Sequence, residues 1–260
     1  MRKTYRSKNN FDYWKKRWTD IGADEPMINE NYYPLKYSNM LIKDHSSTIL
    51  EAGCGAGRVL RFYHNKKYKI FGIDFIREAI DKLKKADGTL NVKFGNILNL
   101  EFKNETFDIV LAFGLYHNFH SNNLIKSLNE THRVLKKNGK LCASFRADNI
   151  QELIVDWIRR ENNSEQKVFH KLNLKKKEFT NLLETNGFLV ENVFNVQNMP
   201  FLYKFKFFRS EDHKKFNEEK GRVEGYQLSY LGNMLQKFLL KFFPDNFCNI
   251  YVAICSKKDI

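Results

Sequence analysis

Between residues 46 and 147 the sequence alternates short β-rich runs with helical segments, and this alternation limits the folds that the chain can adopt. Helical segments lie at 76–86 and 123–137, and the second is expected to end at Asn138 and Gly139, a C-cap signal. The β-rich runs lie at 47–53, 68–74, 91–96, 107–114 and 139–146. Strands that alternate with helices of this length build βαβ units around a parallel sheet. We therefore predict a doubly wound α/β core.

The second half of the chain continues this pattern around one long interruption. Residues 197–247 are too many for a structureless connection, are rich in aromatic residues and have apolar residues at helical spacing over 225–243. We predict an inserted, aromatic-rich lid there. The flanking elements are expected to be helices at 151–160 and 175–188 and strands at 189–196 and 249–255. The expected units are an N-terminal helical cap (1–45), a core (46–196), the lid (197–247) and a closing strand (248–260).

Composition allows a packed core and leaves the type of partner open. Of the 260 residues, 42% are hydrophobic and 28% are charged, which excludes wholesale disorder. The net charge of +14 favours anionic partners such as nucleic acid, a phospholipid surface or acidic small molecules. A Lys- and Asn-rich proteome would give the same charge without functional meaning.

The cysteines and the N-terminus predict a reducing, cytoplasmic location. The four cysteines form no CxxC pair, so neither a zinc site nor a disulfide framework is predicted; they are Cys54, Cys142, Cys248 and Cys255. A reduced compartment fits this usage. The basic N-terminal segment has no apolar run behind it, so we expect no signal peptide. No apolar run approaches the roughly 20 residues of a membrane-spanning helix.

The strongest motif is ILEAGCGAGR at 49–58, in which a strand leads through Glu51 into a glycine-rich loop and a helix. Glycine lets the backbone turn tightly and approach a ligand closely, and a helix start offers free N–H groups. About 20 residues later the next strand ends in Asp74, where an acidic residue accepts hydrogen bonds from ribose hydroxyls. Dinucleotide enzymes have a similar loop, and Asp74 alone also fits a helix N-cap.

This run and four later segments together resemble the class I S-adenosylmethionine-dependent methyltransferases. In order, the matching segments are LEAGCGAGR at 50–58, GIDF at 72–75, GNILNLEF at 95–102, FDIVLAFGLYHNF at 107–119 and RVLKKNGKL at 133–141. The resemblance implies S-adenosylmethionine as the cofactor, methyl transfer as the reaction and a Rossmann-like sheet of seven strands, the last one antiparallel. Glu51 agrees with it, because a carboxylate suits the ammonium of this cofactor and would repel a pyrophosphate.

The resemblance also implies roles for individual residues. Asp74 would hold the ribose, with Phe75 beside the adenine and Asn96 and Ile97 at the adenine edge. The loop around the methionine portion would consist of Glu51, Ala52, Gly53, Cys54, Gly55 and Gly57. The wall beneath the sulfonium would consist of Phe113, Gly114 and Leu115.

Two residues after the fourth strand are candidates for catalysis. Methyl transfer is an in-line displacement that gains much of its rate from alignment, so a general base is needed only for a hydroxyl or protonated amine acceptor. His117 is the candidate base, because imidazole titrates near neutral pH, and packing at the mouth of the site is its alternative role. Tyr116 is expected to shape the pocket. The Asn/Asp-Pro-Pro-Tyr tetrad of related nucleobase and glutamine methylating enzymes is missing here, which disfavours DNA as the acceptor.

The N-terminal segment 11–26 predicts a helix with Trp14 and Trp18 on one face, since they are four residues apart. A similar tryptophan pair occurs in thiol methyltransferases, where the helix covers the bound cofactor, although their glycine loop differs. We expect a cofactor lid, and packing of this helix on the sheet is the alternative.

The predicted acceptor is a small apolar or aromatic molecule, because the lid is aromatic. RNA is the second candidate, although the basic residues are dispersed and no RNA-binding motif is recognisable. Lys237 and Lys241 on the helix at 225–243 make peripheral membrane contact another alternative. A third is an S-adenosylmethionine-binding protein without transferase activity. No metal site is predicted, because His117 and His120 have no carboxylate or cysteine nearby, and the oligomeric state is left open.

Overall fold

The computed structural model describes residues 1–7, 9–20, 26–158, 167–211 and 226–258. Its strands form one mixed sheet. In chain order they are β1 (Arg2–Arg6), β2 (Thr48–Ala52), β3 (Lys69–Asp74), β4 (Val92–Phe94), β5 (Phe107–Ala112), β6 (Leu135–Ala147), β7 (Val168–Leu174), β8 (Phe188–Val196) and β9 (Ile250–Lys257).

Helices lie between these strands in the chain. In chain order they are α1 (Asn10–Asp20), α2 (Leu35–Leu41), α3 (Arg58–Asn65), α4 (Arg77–Ala86), α5 (Ser121–Val134), α6 (Ile150–Ile158), α7 (Lys176–Thr185), α8 (Tyr230–Phe242) and α9 (Pro244–Phe247). Single 3-10 turns occur at Tyr116–Asn118, Phe201–Lys204 and Lys206–Phe208.

The seven predicted strands lie in the order β4-β3-β2-β5-β6-β9-β8. Strands β2 to β6 are parallel to their neighbours in this group, and β9 runs antiparallel between β6 and β8, which confirms the predicted antiparallel last strand. Ligands of such sheets bind outside the carboxyl ends of the strands, where the strand order reverses. Here that position lies at the ends of β2 and β5.

The predicted count of seven strands is too low by two. Strand β7 pairs with the end of β6 at Arg146 and Ala147, and β1 pairs antiparallel with β7. Both strands contain basic or amide residues where a buried strand normally has apolar ones, so neither produced an apolar run in the sequence. Strand β1 also lies within the segment expected to be a purely helical cap.

Apolar side chains of the central strands cover both faces of the sheet, as is usual for buried parallel strands. On one face, Leu50 and Val110 belong to a core that α5 and α7 close. On the other face, Ile49 and Leu111 belong to a core that α2, α3 and α4 close. The carboxyl edge of the sheet is thereby held rigidly from both sides.

Helix α5 ends at Val134 and not at the expected Asn138–Gly139 signal. Leu135 is fully buried and already pairs with Phe107 of β5, so tertiary packing starts the strand earlier than the local signal suggests. Asn138 has a φ of 59° inside β6, which is a left-handed conformation that Asn tolerates. The Asn-Gly pair therefore bends a strand and does not cap a helix.

The segment 197–247 is described in part, and residues 212–225, including Phe216, lie outside the described residues. Its aromatic side chains pack with α6 in a third cluster that contains Val155, Phe201 and Tyr203. Helix α8 turns Leu235 and Leu239 toward this cluster. Its opposite stripe is exposed and consists of Tyr230, Met234, Phe238 and Phe242. Among the described helices, none is long and apolar enough to cross a membrane.

Candidate functional site

The glycine-rich loop connects β2 to α3 at the carboxyl edge of the sheet. The backbone N–H groups of Gly53 and Cys54 both donate to the Ile73 carbonyl, at 2.8 and 2.9 Å, which holds the loop against the end of β3. Gly55 has a φ of 52°, and Gly57, at 80°, directly precedes α3. Residues with a side chain rarely adopt this backbone conformation, so the path of the loop depends on these glycines.

Asp74 organises the loop from the end of β3. Its Oδ2 accepts a hydrogen bond from the Gly55 backbone N–H at 2.8 Å, and its Oδ1 accepts one from Ile76 at 2.9 Å. Burial raises the pKa of this carboxyl, and the backbone donors oppose that shift. The backbone N–H of Phe75 also donates to this carboxyl. Since the two oxygens have four lone pairs in all, capacity for one further donor remains.

Glu51 is a second buried carboxyl at this edge. Burial raises its pKa to about 8, the neighbouring Asp74 adds to the shift, and the backbone N–H of Leu60 opposes it. Its Oε2 is buried and has no hydrogen-bond partner among the described residues. A buried, unpaired carboxyl oxygen is costly, and it indicates a position suited to a positively charged or hydrogen-donating group.

The loop after β5 meets the glycine-rich loop directly. Leu115 Cδ1 is 3.1 Å from the position that a Cβ on Gly53 would take. Gly114 donates its N–H to Ser144 Oγ at 2.8 Å, and Ser144 Oγ lies 2.9 Å from the Tyr33 hydroxyl. The Tyr33 ring packs edge-on against Phe113. The structure thus brings Leu115 beside Gly53, and Phe113 and Gly114 lie in the same loop after β5.

Helix α1 lies over both loops. Trp14 and Trp18 stack with ring centroids 5.7 Å apart, and the Trp18 ring contacts the backbone at Gly55. Trp14 Nε1 lies 3.5 Å from the Asn118 side-chain oxygen. Lys82 Nζ of α4 donates to the Trp18 carbonyl at 2.7 Å, which fixes the end of α1. The two tryptophans therefore bridge the glycine loop and the loop after β5.

Aromatic rings line the side of the site near β3 and β4. Phe75 is 49% exposed and packs between Phe11 of α1 and Phe94 of β4, with centroid distances of 5.8 Å to each. The Arg77 guanidinium lies 4.5 Å from the centre of the Phe94 ring. Such a half-exposed aromatic group can stack against a flat ligand.

Four other predicted residues direct their side chains into the protein. Ala52 and Ile97 are buried in the core, and the Cys54 sulfur lies beside Gly72 and Leu60. Burial raises the pKa of the Cys54 thiol well above its usual value, so the thiol is unreactive. The Asn96 side-chain oxygen caps the Leu98 backbone N–H at 2.9 Å.

The two residues predicted for catalysis have different environments. Tyr116 is fully buried, and its hydroxyl lies 2.7 Å from Thr131 Oγ1, so its side chain supports the core and does not shape the pocket. His117 is also buried, but its Cε1 lies 3.8 Å from the Cβ position on Gly114, and its Nδ1 has no partner among the described residues. Burial lowers the pKa of His117 well below its usual value, with Arg146 and Lys171 contributing.

Sequence reasoning missed several residues at this edge. Tyr33 and Ser144 contact the loop after β5 but lie in segments without a motif. Phe11 could have been found, because it lies on the same predicted helix as the two tryptophans. Arg146 is the last residue of the strand predicted at 139–146 and could have been considered for its position at a carboxyl end. Within the described ranges, no three His, Cys, Asp or Glu side chains are grouped to hold a metal ion.

Residues 50–143 match the family model described as "Methyltransferase domain". The chain is 30% identical over 147 residues to an uncharacterised methyltransferase-like protein of Schizosaccharomyces pombe. The aligned region covers 55% of this chain and 54% of that relative. The chain spans less than two thirds of the length of the curated relatives it matches.

Solved structures share the fold over most of the chain. An S-adenosylmethionine-dependent methyltransferase from Methanosarcina mazei matches with a TM-score of 0.57 and 19% identity, over 87% of this chain and 98% of that one. A putative methyltransferase from Haloferax volcanii, solved in a complex with the Trm112 methyltransferase activator, matches with a TM-score of 0.60 and 13% identity, over 97% and 99%.

Proposed function

We propose that this chain is a class I S-adenosylmethionine-dependent methyltransferase, and that it transfers the cofactor's methyl group to a small acceptor with an apolar or aromatic body. The observation that carries the proposal is the contact between the glycine-rich loop and the loop after β5, through Gly53 and Leu115. This contact supports the proposal, because Gly53 is expected to lie beside the methionine portion of the cofactor and Leu115 to line the wall beneath the sulfonium.

The chemistry of the loop fits this cofactor better than a dinucleotide. Glu51 has a buried oxygen without a partner among the described residues, which suits the ammonium of the methionine portion. Burial raises the pKa of Glu51, and the neighbouring Asp74 adds to the shift, so a phosphate would meet two acidic groups here. The hydrogen-bonding capacity that Asp74 retains suits a ribose hydroxyl.

When bound, S-adenosylmethionine supplies an electrophilic methyl group on a sulfonium. In our proposal Glu51 and the glycine loop bind the methionine portion, Asp74 binds the ribose and Phe75 packs against the adenine. Gly114 and Leu115 line the wall beside the reacting groups. Trp14 and Trp18 on α1 exclude water from the cofactor side, which helps because alignment and exclusion of water account for much of the rate of such a displacement.

His117 is the proposed general base, for acceptors that carry a proton on the reacting atom. Its Nδ1 has no competing partner among the described residues, and its ring lies beside Gly114. Burial lowers its pKa, which leaves the imidazole neutral at pH 7 but also makes it a weaker base, so a carboxylate or other anion close to Nδ1 would have to stabilise the protonated ring. Tyr116 is not part of this proposal, because its hydroxyl is bonded to Thr131 in the core.

The segment 197–247 supports a small acceptor with an apolar body. Its aromatic cluster packs on α6, which follows the carboxyl end of β6. RNA is less favoured, because the basic side chains are distributed over different elements. Peripheral membrane contact stays a prediction, and the exposed stripe of α8 next to Lys237 and Lys241 is the surface that would make it.

The test is a transfer assay with S-adenosylmethionine labelled in its methyl group and a panel of small phenols, thiols, amines and organic acids. We expect label in a small molecule, and its loss in Asp74→Ala. Label in RNA, with a steep loss as salt rises, would replace the proposal by an RNA methyltransferase. Tight cofactor binding without transfer to any acceptor would favour a non-catalytic binding protein.

A further inference from the structure

A row of polar side chains crosses three neighbouring strands at the edge of the candidate site. Asn173 of β7 pairs in register with Arg146 of β6 on one side and with Arg2 of β1 on the other. Residues paired in this way point to the same face of a sheet and lie about 5 Å apart. The two arginines therefore flank the Asn173 carboxamide.

The hydrogen-bonding capacity of this row is largely unused. Asn173 is fully buried, and neither its Nδ2 nor its Oδ1 has a partner among the described residues. The same holds for Nη2 of Arg2, and Arg146 makes no hydrogen bond or ion pair to the described part of the chain. A buried polar group without a partner is destabilising, so the unpaired atoms of Asn173 and Arg2 beside Arg146 indicate a bound polar group.

The nearby carboxylates are already engaged with other cations. Arg2 Nε donates to Asp148 Oδ1 at 2.6 Å, and Arg2 Nη1 donates to Asp156. Lys171 Nζ donates to Glu152 Oε2 at 3.1 Å, in a buried pair. Arg146 is thus the cation of this region without a carboxylate partner among the described residues.

The row lies close to the wall of the methyl-transfer site. Ser144 is two residues before Arg146 in β6, so both side chains point to the same face, and Ser144 Oγ accepts the Gly114 N–H. Two strand residues span about 6.6 Å, which is about the length of one aromatic ring with its substituents. His117 lies beside Gly114 and within range of the Arg146 charge.

We propose that Arg146 and Asn173 bind a carboxylate of the methyl acceptor, which would make the acceptor an organic acid of about one ring in size. A guanidinium binds the two coplanar oxygens of a carboxylate through two parallel hydrogen bonds, and Asn173 Nδ2 supplies another donor. Arg146 is half-buried and Asn173 fully buried, so the ligand reaches Arg146 first. The part of this inference that concerns the acceptor rests on the proposed function, whereas the anion site rests on the row itself.

The test uses benzoate as the probe, benzamide as its neutral counterpart and inorganic phosphate as a tetrahedral anion. Each is titrated into the full chain by calorimetry, with and without saturating S-adenosylhomocysteine. We expect benzoate to bind at least tenfold more tightly than benzamide or phosphate. Arg146→Gln should abolish this preference. Lys126→Gln, which removes an exposed positive charge from α5, should retain it.

Arg146→Lys keeps the positive charge but lacks the planar guanidinium, so it should reduce the preference for benzoate over benzamide. It replaces Arg146→Gln in the test if that variant does not fold. Equal binding of benzoate and benzamide to the wild type would overturn the inference, as would an undiminished preference in Arg146→Gln. Tighter binding of phosphate than of benzoate would overturn the carboxylate assignment and indicate that the site binds a phosphate group. Failure to bind S-adenosylhomocysteine would contradict the proposed function alone, because the titrations without it still test the row.

Discussion

The indole ring of Trp18 contacts Gly55 so closely that its Cζ2 is 2.6 Å from the position a Cβ on Gly55 would occupy. The glycine at this position therefore allows both the left-handed turn of the loop and the seating of α1. Because Trp18 of helix α1 packs on the loop, a change in the loop conformation should alter the environment of Trp18.

Gly55→Ala should destabilise the protein by about 1–2 kcal/mol, because alanine is strained at a φ of 52°, and it should also displace Trp18. Chemical denaturation and tryptophan emission measure the two effects. Gly88→Ala is the control, because its added Cβ would meet only the Lys84 carbonyl at 4.0 Å. Equal behaviour of the two variants would contradict the close packing of Trp18 on the loop.

The proposal that helix α1 covers the cofactor predicts that cofactor binding changes the fluorescence emission of Trp14 and Trp18. The third tryptophan, Trp157, is 68% exposed on α6 and should not respond. Titration with S-adenosylhomocysteine should therefore shift the emission of the wild type and of Trp157→Phe by similar amounts. The Trp14→Phe/Trp18→Phe double variant should lose the shift. A shift that disappears in Trp157→Phe would place the change elsewhere.

Glu51 should make the unliganded protein less stable as pH rises. Its pKa of about 8 in the folded protein is above the usual 4.5, so the folded state holds a proton that the unfolded chain releases. Stability is then lost between about pH 4.5 and 8. The free energy of unfolding of Glu51→Gln should lack this component, and urea denaturation from pH 5 to 8 measures it. A constant difference between wild type and variant over this range would contradict a protonated Glu51.

His117 should have the opposite effect at acid pH. Its pKa is lowered in the folded protein, so the unfolded chain takes up a proton first as the pH falls below about 6.5. The stability from the neutral, buried imidazole is lost from there downward. The free energy of unfolding should therefore fall less between pH 7 and acid pH in His117→Gln than in the wild type. His120→Gln is the control, since His120 is exposed.

The glycine-rich loop and Asp74 could be predicted from the sequence, because their chemistry follows from local residue types at a fixed spacing. Glu51 follows in the same way from its position at the end of β2, whereas the roles of Gly114 and Leu115 were implied only by the family resemblance. The direction of a side chain within a short turn was not predictable, so Tyr116 was expected in the pocket and lies in the core. Strand β7 escaped detection because Lys171 and Asn173 occupy positions where apolar residues would signal a strand, and β1 because its sequence RKTYR contains no apolar run. The Arg146–Asn173–Arg2 row depends on the pairing of three strands distant in sequence.

The measurement that tests the account most directly is calorimetric titration of S-adenosylhomocysteine into the wild type and Asp74→Ala. Asp74 holds the Gly55 and Ile76 backbones and is proposed to bind the ribose, so its loss should remove both the loop anchor and the ligand contact. We expect micromolar binding to the wild type and at least a hundredfold loss in Asp74→Ala. Asp81→Ala, which removes an exposed carboxylate from α4, should bind like the wild type. Wild-type affinity in Asp74→Ala, or no binding to the wild type, would contradict the proposed cofactor site.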